Sequence, residues 1–187
     1  MQKVRGFTLI EVMVVLAIVA ILATLAAPSL RAQIQSSTIS SNVNTFMADM
    51  RFARSESIRR GGGVVMCRSD DPEAANPTCG AGSGPGNNGW VSGWIIFHDL
   101  NNNGNKAAAE PLLRVQSPIT SMDSISDGGN STKFEFTATG RQGLAGAASL
   151  QFGGGNYPNT TQRMVCISMS GRVRVAGDGL ADCGTDR

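Results

Sequence analysis

An acidic side chain, Glu11, interrupts a long apolar stretch near the start of the chain. The stretch runs from Phe7 to Ala27, and its other polar residues are Thr8, next to its start, and Thr24. As a helix it would span about 31 Å, the thickness of a bilayer's hydrocarbon core. A carboxylate inside a membrane is costly unless a cation pairs with it, so Glu11 is predicted to have a partner and a function.

Two arginines near the C-terminus are spaced for phosphate binding. They lie in the segment Gly171-Arg172-Val173-Arg174, which is predicted to form a strand. Alternate residues of a strand share a face, so Arg172 and Arg174 would point the same way about 6.6 Å apart, with Val173 and Val175 packing inward. Guanidinium groups at this spacing can contact neighbouring phosphates, and Gly171 permits a sharp turn or a close approach of the backbone.

Two further arginines, Arg141 and Arg163, are secondary candidates for the same surface if the fold brings them near. The alternative is a solvated strand face that binds nothing. The spacing alone does not decide between DNA binding and such a face.

A segment in the middle of the chain has the spacing of a calcium-binding loop. Asp99, Asn101, Asn103 and Glu110 place oxygen ligands as in D-x-[DN]-x-[DN]-G-x5-E. Two of these ligands are charged, and the residues before them predict a strand rather than a helix. Segments rich in Asn and Gly also form plain turns, so a calcium site and a structural loop both remain open.

Four cysteines suggest two disulfides in an exported domain. Of the three possible pairings, Cys67–Cys79 and Cys166–Cys183 enclose the shortest loops and are favoured. Buried free thiols are the alternative, and the wide spacing disfavours zinc.

Catalytic residues are not evident in the sequence. His98 is the sole histidine, and no nucleophile, base and orienting group present themselves as a set. Trp90 and Trp94 could stack on single-stranded bases, but core packing is the favoured interpretation. We therefore expect no enzymatic activity and no cofactor.

The elements that must position these residues begin with one long helix. Pro28 is predicted to kink it, and Gly61 to end it after Arg59 and Arg60. Apolar residues after Pro28 recur at helical spacing and predict a buried stripe. The stripe comprises Leu30, Ile34, Val43, Phe46, Met47, Met50 and Ile58.

Short strands follow the helix and predict an α+β fold. A loop rich in Gly, Pro, Asn and Asp is expected at 68–89, and a second loop at 153–161. The predicted strands are Val64–Cys67, Trp90–His98, Leu112–Gln116, Met122–Ile125, Lys133–Thr137, Ala148–Phe152, Met164–Met169 and Arg172–Ala176.

The segment Gly6-Phe-Thr-Leu-Ile-Glu11 resembles the leader of type IV pilins and type II secretion pseudopilins. The resemblance implies a pilin-like fold, cleavage between Gly6 and Phe7 by a prepilin peptidase, and N-methylation of Phe7. It also implies that Glu11 meets the new amino terminus of a neighbouring subunit. An ordinary signal peptide or anchor is the alternative, but an acid so early in its apolar region would not fit.

Later segments are similar to the FimT/GspH family of minor pilins. These are Gly93-Trp-Ile-Ile-Phe-His-Asp99, Phe136-Thr-Ala-Thr-Gly-Arg141 and the Gly-Arg-x-Arg motif at 171–174. In FimT-type subunits that motif helps bind DNA during uptake in naturally transformable bacteria. The resemblance therefore implies a DNA-binding role for Gly171, Arg172 and Arg174. The alternative is a GspH-like structural pseudopilin of a type II secretion filament.

These expectations define the organisation of the chain. Residues 1–6 would be the leader, 7–27 the membrane and filament-core helix, 28–60 its amphipathic continuation, and 61–187 a β-rich periplasmic domain. Lys3 and Arg5 favour a cytoplasmic leader and single-pass insertion in the bacterial inner membrane. They account for two of the sixteen basic residues, and the remaining fourteen balance the fourteen acidic residues. Binding of DNA would therefore require a local basic cluster.

Overall fold

A single long helix dominates the computed structural model, which describes residues 7–129, 131–143 and 147–184. The helix, α1, spans Leu9–Arg60 and continues through residue 28, where the sequence predicted a kink rather than an end. Thr8 caps it: its Oγ1 accepts the backbone N–H of Glu11 at 3.3 Å, in the Thr-x-x-Glu pattern of a capping box. At the other end, Gly61 adopts a left-handed conformation and donates its N–H to the carbonyl of Ser57.

The two halves of α1 lie in different surroundings. The side chains described between Phe7 and Ile34 are exposed, and this half is long and apolar enough to cross a membrane. The second half carries five core residues, which are Ile39, Val43, Phe46, Met50 and Ala53. The first half thus needs a hydrophobic environment that the domain does not supply.

The rest of the described chain forms two antiparallel sheets of four strands each. In the first sheet the order is β3-β2-β1-β5, and in the second it is β4-β6-β7-β8. The strands are β1 Val64–Arg68, β2 Trp94–His98, β3 Leu112–Gln116, β4 Ser124–Asp127, β5 Lys133–Phe136, β6 Ala148–Gly153, β7 Arg163–Ile167 and β8 Val173–Gly177. The second half of α1 packs against both sheets, so the predicted α+β class is confirmed.

Two predicted strands begin later than expected. Trp90–Ser92 is a 3-10 turn, and β2 starts only at Trp94. The strand predicted at Met122–Ile125 is shifted to Ser124–Asp127. In both cases an apolar residue before the strand enters the core from a turn, which alternation along the sequence does not distinguish from a strand.

Phe46 of α1 lies at the centre of the core. Its ring makes edge-on contacts with Trp90, Trp94, Phe134 and Phe152, at centroid separations of 5.6, 5.4, 6.4 and 5.5 Å. Both tryptophans are buried, as the packing interpretation predicted. The aromatic cluster joins α1 to both sheets and holds the helix in one orientation relative to them.

A buried carboxylate adds a polar contact to this packing. Asp49 of α1 accepts the indole N–H of Trp94 at 2.8 Å and a guanidinium N–H of Arg114 at 2.6 Å. The Arg114 guanidinium also lies 4.0 Å from the ring centroid of Phe52. The helix is thereby joined to β2 and β3 by directional bonds as well as by apolar contact.

Candidate nucleic-acid interface

The Gly-Arg-x-Arg motif begins in the turn that joins β7 to β8. Gly171 donates its N–H to the carbonyl of Ser168 at 2.9 Å, and Ser168 donates its own to the carbonyl of Arg172 at 2.9 Å. Gly171 has φ +75°. These bonds define a three-residue hairpin loop whose last position is left-handed, which is a role that glycine fills without strain.

The turn places Arg172 directly before β8 and Arg174 within it. Both side chains are exposed, whereas Val173 between them is half-buried and packs against the core. Val175 was predicted to pack inward as well, but it is 41% exposed. The difference arises because β8 is an edge strand and its pairing with β7 shifts register near this residue.

Arg174 is anchored by the C-terminal segment. Its guanidinium donates to the carbonyl of Cys183 at 2.8 Å, and Cys183 is linked to Cys166 of β7. Cys166 is also the cross-strand neighbour of Arg174. The disulfide therefore holds the carbonyl that orients the arginine. Cys67 and Cys79 form the second disulfide, so both pairs favoured by the sequence are present.

A surface cleft of about 700 Å³ lies beside the two arginines. We call it the hairpin cleft. Besides Arg172 and Arg174 it is lined by Cys166, Ser168, Met169, Ser170 and Val173. Among the described lining residues none is acidic, so the described lining of this open groove carries two guanidinium groups and no carboxylate.

A second turn has the same design. Both turns have the residue order hydroxyl, apolar, hydroxyl, glycine, arginine. The sequence is Ser168-Met-Ser-Gly-Arg172 in the first turn and Thr137-Ala-Thr-Gly-Arg141 in the second. Gly140 has φ +72°, its N–H donates to the carbonyl of Thr137 at 2.8 Å, and Thr137 donates to the carbonyl of Arg141 at 2.9 Å. Each turn thus ends in a left-handed glycine followed at once by an exposed arginine.

The two turns are in contact. A Cβ on Gly171 would lie 2.2 Å from the carbonyl oxygen of Gly140. The N–H of Gln142 donates to the carbonyl of Met169 at 3.0 Å, which links the segment just after one turn to the loop of the other. Arg141 and Arg172 therefore follow adjacent turns, and the fold brings Arg141 to the motif.

Arg163 lies elsewhere. It stands at the first position of β7, whereas Arg172 follows the turn at the other end of that strand, about 13 Å away along it. Its guanidinium donates to the carbonyls of Thr160, Thr161 and Gln162 at 2.9 to 3.1 Å. The structure uses Arg163 to hold a loop and does not bring it to Arg172.

An arginine that the sequence analysis did not select, Arg54 of α1, lies on the far side of the second turn. A Cβ on Gly140 would be 2.9 Å from its Nε. The available signal was a pair of arginines three residues apart, Arg51 and Arg54, on one helix face. That spacing is common on solvated helices, so it became informative only with the turn in place.

The segment with calcium-loop spacing directs its oxygens to its own backbone. The carboxylate of Asp99 accepts the N–H of Asn103 at 3.3 Å and that of Gly104 at 2.6 Å. Asn101 and Asn103 each accept the N–H two residues later, and Glu110 accepts N–H groups of Leu100 and Ala107 at 3.0 and 2.8 Å. Among the described residues no metal-binding cluster of acids, histidines or cysteines is found. These bonds fit the structural-loop interpretation.

The leader site is described only in part. Gly6 lies outside the described residues, while Phe7 is 84% exposed just before the helix. Glu11 is in the first turn of α1 with its side chain exposed. The structure thus places both residues at the free end of the apolar half.

An apolar helix that continues into a packed helix on antiparallel sheets, with an acid in its first turn, defines the class of pilin-like filament subunits. The profile of the type II transport protein GspH matches residues 42–171, and the profile of the prokaryotic N-terminal methylation motif matches residues 1–27. The chain belongs to the GspH family and is a minor pilin or pseudopilin, a membrane-anchored subunit that assembles with other pilins.

Solved structures show the same fold. The crystal structure of the type IV minor pilin FimU of Pseudomonas aeruginosa in one crystal form matches with a TM-score of 0.57 and 17% identity, covering 78% of this chain and 92% of that one. A second crystal form gives 0.52 and 18%, covering 77% and 97%. No curated protein sequence matches the chain.

Proposed function

We propose that this protein is a FimT-like minor pilin of a type IV pilus that binds DNA for uptake in natural transformation. A prepilin peptidase would cleave it between Gly6 and Phe7, and Phe7 would be N-methylated. The protein would cross the inner membrane once, with its β-rich domain in the periplasm. The observation that carries the proposal is the pair of exposed arginines, Arg172 and Arg174, beside the hairpin cleft.

The arrangement supports binding to phosphates. The backbone of Arg172 is fixed by the turn before it. The guanidinium of Arg174 is held by the carbonyl of Cys183, so Arg174 loses little conformational freedom when it meets an anion. Arg141 adds a third positive charge from the adjacent turn. The contacts are to phosphate groups rather than to base edges, so binding would be independent of sequence and would weaken with salt.

Binding of a fluorescent duplex to the full-length protein in neutral detergent, across a salt series, tests the proposal. Arg172→Gln with Arg174→Gln should reduce the magnitude of the negative slope of log K against log salt by about 2, and should lower affinity at 0.1 M salt by about tenfold per arginine. The control is Arg31→Gln with Arg59→Gln, which removes the same charge from α1 outside the clefts. Equal affinity and slope for the wild type and the motif variant would overturn the assignment.

The second candidate is a structural pseudopilin of a type II secretion filament. The GspH profile match over residues 42–171 favours it, because that protein is described as a type II transport protein. In that case the arginines would contact other subunits or secreted proteins, and the wild type would show no salt-dependent binding of DNA. Location of the gene in a secretion operon rather than a pilus operon would point the same way.

A further inference from the structure

A second cleft opens on the helix side of Arg172. Its volume is about 300 Å³, and we call it the helix cleft. Arg172 and Val173 line both this cleft and the hairpin cleft. The remaining wall is formed by α1 with Arg51, Arg54, Ser55 and Ile58, and by Gly171. Arg172 therefore stands between two basic grooves rather than at the end of one.

The helix carries its two arginines on one face, at backbone positions fixed by the core. Arg51 and Arg54 are three residues apart, so their side chains emerge from neighbouring positions on one face of α1. Arg54 lies against the second turn: a Cβ on Gly140 would be 2.9 Å from its Nε and 3.0 Å from its Cγ. This part of α1 is packed into the core through Met50 and Ala53, so the helix backbone behind the cleft is fixed to the domain.

The charges of these arginines are not neutralised locally. Within the described parts of the chain, no carboxylate lies within 4.0 Å of Arg51 or Arg54. By contrast, Arg59 and Arg60 on the next turns of the same helix both bind Glu56. A chain whose mature side chains balance in charge thus has an uncompensated basic surface at the junction of helix and hairpin.

We infer that Arg51 and Arg54 form a second arm of the DNA-binding surface, continuous with the motif through Arg172. This inference rests on the proposed function and extends it. The bound ligand is a polyanion longer than one phosphate, which crosses from Arg174 over Arg172 to Arg54 and Arg51.

The lining also indicates which feature of DNA is bound. Among the described residues that line the two clefts, none is aromatic, so bases find no surface to stack on. Met169 lines the hairpin cleft and Ile58 lines the helix cleft, both more than half exposed, and neither carries an amide or charged group that could read base edges. The surface therefore binds the phosphate backbone, and duplex DNA presents that backbone without exposing unstacked bases.

The test is Arg51→Gln with Arg54→Gln in the full-length protein in neutral detergent, measured by anisotropy of a labelled duplex of about 30 base pairs across a salt series. The magnitude of the negative slope of log K against log salt should fall by about 2, close to the effect of losing Arg172 and Arg174. Removing all four should lower it by about 4. Arg51→Lys with Arg54→Lys keeps the charge and should restore most of the slope.

Arg31→Gln with Arg59→Gln is again the matched control. Arg59 is on the same helix, and when Arg59 is replaced Glu56 remains paired with Arg60. If the double glutamine variant should fold poorly, Arg51→Gln alone, at an exposed position, should still reduce the magnitude of the slope by about 1.

The outcomes separate the two proposals. A helix variant that binds like the wild type, while the motif variant loses affinity, overturns the second arm and leaves the proposed function standing. A wild type that does not bind duplex DNA overturns both. Loss of binding by the helix variant without loss by the motif variant would move the site to the helix alone, and would contradict a continuous surface.

Discussion

The backbones of Gly171 and Gly140 are packed so closely that a Cβ on Gly171 would lie 2.2 Å from the carbonyl oxygen of Gly140. Each glycine ends a tight turn, and each is followed by an exposed arginine. The contact joins two hairpins that are distant in sequence. It brings the backbones that carry Arg141 and Arg172 next to each other, and it gives the glycine of the Gly-Arg-x-Arg motif a structural role distinct from that of its arginines.

Gly171→Ala should separate the two turns. Alanine at φ +75° costs about 1–2 kcal/mol, and the new Cβ would also displace backbone. Gly82→Ala is the matched control, because Gly82 has φ +60° with nothing within 4 Å of a Cβ. The melting temperature should fall more for Gly171→Ala than for Gly82→Ala, and DNA affinity should fall only for Gly171→Ala. Similar melting and binding for the two variants would refute a tight contact.

Local patterns in the sequence were sufficient for the helix, the two disulfides and most strands. The helical stripe identified Val43, Phe46 and Met50 as core residues, and all three are buried. Leu30, Ile34 and Ile58 belong to the same stripe but are exposed. Hydrophobic periodicity shows which face is apolar and does not show what covers it. Leu30 and Ile34 lie in the half of α1 that does not pack on the sheets, and Ile58 lines the helix cleft.

Contacts between segments distant in sequence were not readable. Asp49 binds Trp94 and Arg114, which are 45 and 65 residues away. Arg68, predicted at the start of a loop, is 1% exposed and donates to the carbonyl of Ala81 and to the hydroxyl of Ser92. Which residues become partners in these bonds depends on how the folded strands and loops lie against one another, and local sequence patterns do not contain that information. Likewise the pattern of the second turn was visible in the sequence, but its contact with Gly171 was not.

The Cys166–Cys183 disulfide should matter for DNA binding because it holds the carbonyl that anchors Arg174. Cys166→Ser with Cys183→Ser should lower affinity by up to about tenfold at 0.1 M salt, the value of one phosphate contact. Cys67→Ser with Cys79→Ser is the control, since it opens a loop of similar length far from Arg174. Each change should cost about 3 kcal/mol of stability.

Binding by these two disulfide variants should be compared well below both melting temperatures, with the same duplex and salt. Unchanged affinity for the Cys166 variant would show that Arg174 needs no such anchor. Equal losses in both variants would point to a general effect of stability.

Acid should remove a contribution of Glu56 to stability. Hydrogen bonds from Arg59 and then Arg60 lower the pKa of Glu56 from 4.5 to about 2. Because the pKa is depressed in the folded state, the stabilisation is fully present above pH 4.5 and is lost as pH falls toward 2. Glu56→Gln should therefore melt slightly lower than the wild type at neutral pH, and the two curves should converge near pH 2. A difference that stays constant over this range would contradict the linkage.

Glu11 should be needed for assembly but not for insertion. Its backbone N–H is held by Thr8, while its side chain is exposed at the end of the apolar half of α1. In a bilayer that carboxylate needs a cation, and the ammonium group of Phe7 on a neighbouring subunit, freed by cleavage after Gly6, would supply one. Glu11→Val removes the unpaired acid, so it should leave the protein in the membrane fraction at wild-type levels. It should sharply reduce the amount recovered in sheared filaments, as measured by immunoblotting.

Thr24→Val is the control for this change, because it removes a polar side chain from the middle of the stretch without removing charge. It should assemble normally. Mass spectrometry of the membrane-bound Glu11→Val protein should show a chain that begins at methylated Phe7, so that failure to assemble is not failure to be processed. If the Glu11→Val protein enters filaments as well as Thr24→Val does, the carboxylate does not pair with a neighbouring amino terminus. The acid would then act only within its own helix, where a negative charge in the first turn interacts favourably with the helix dipole.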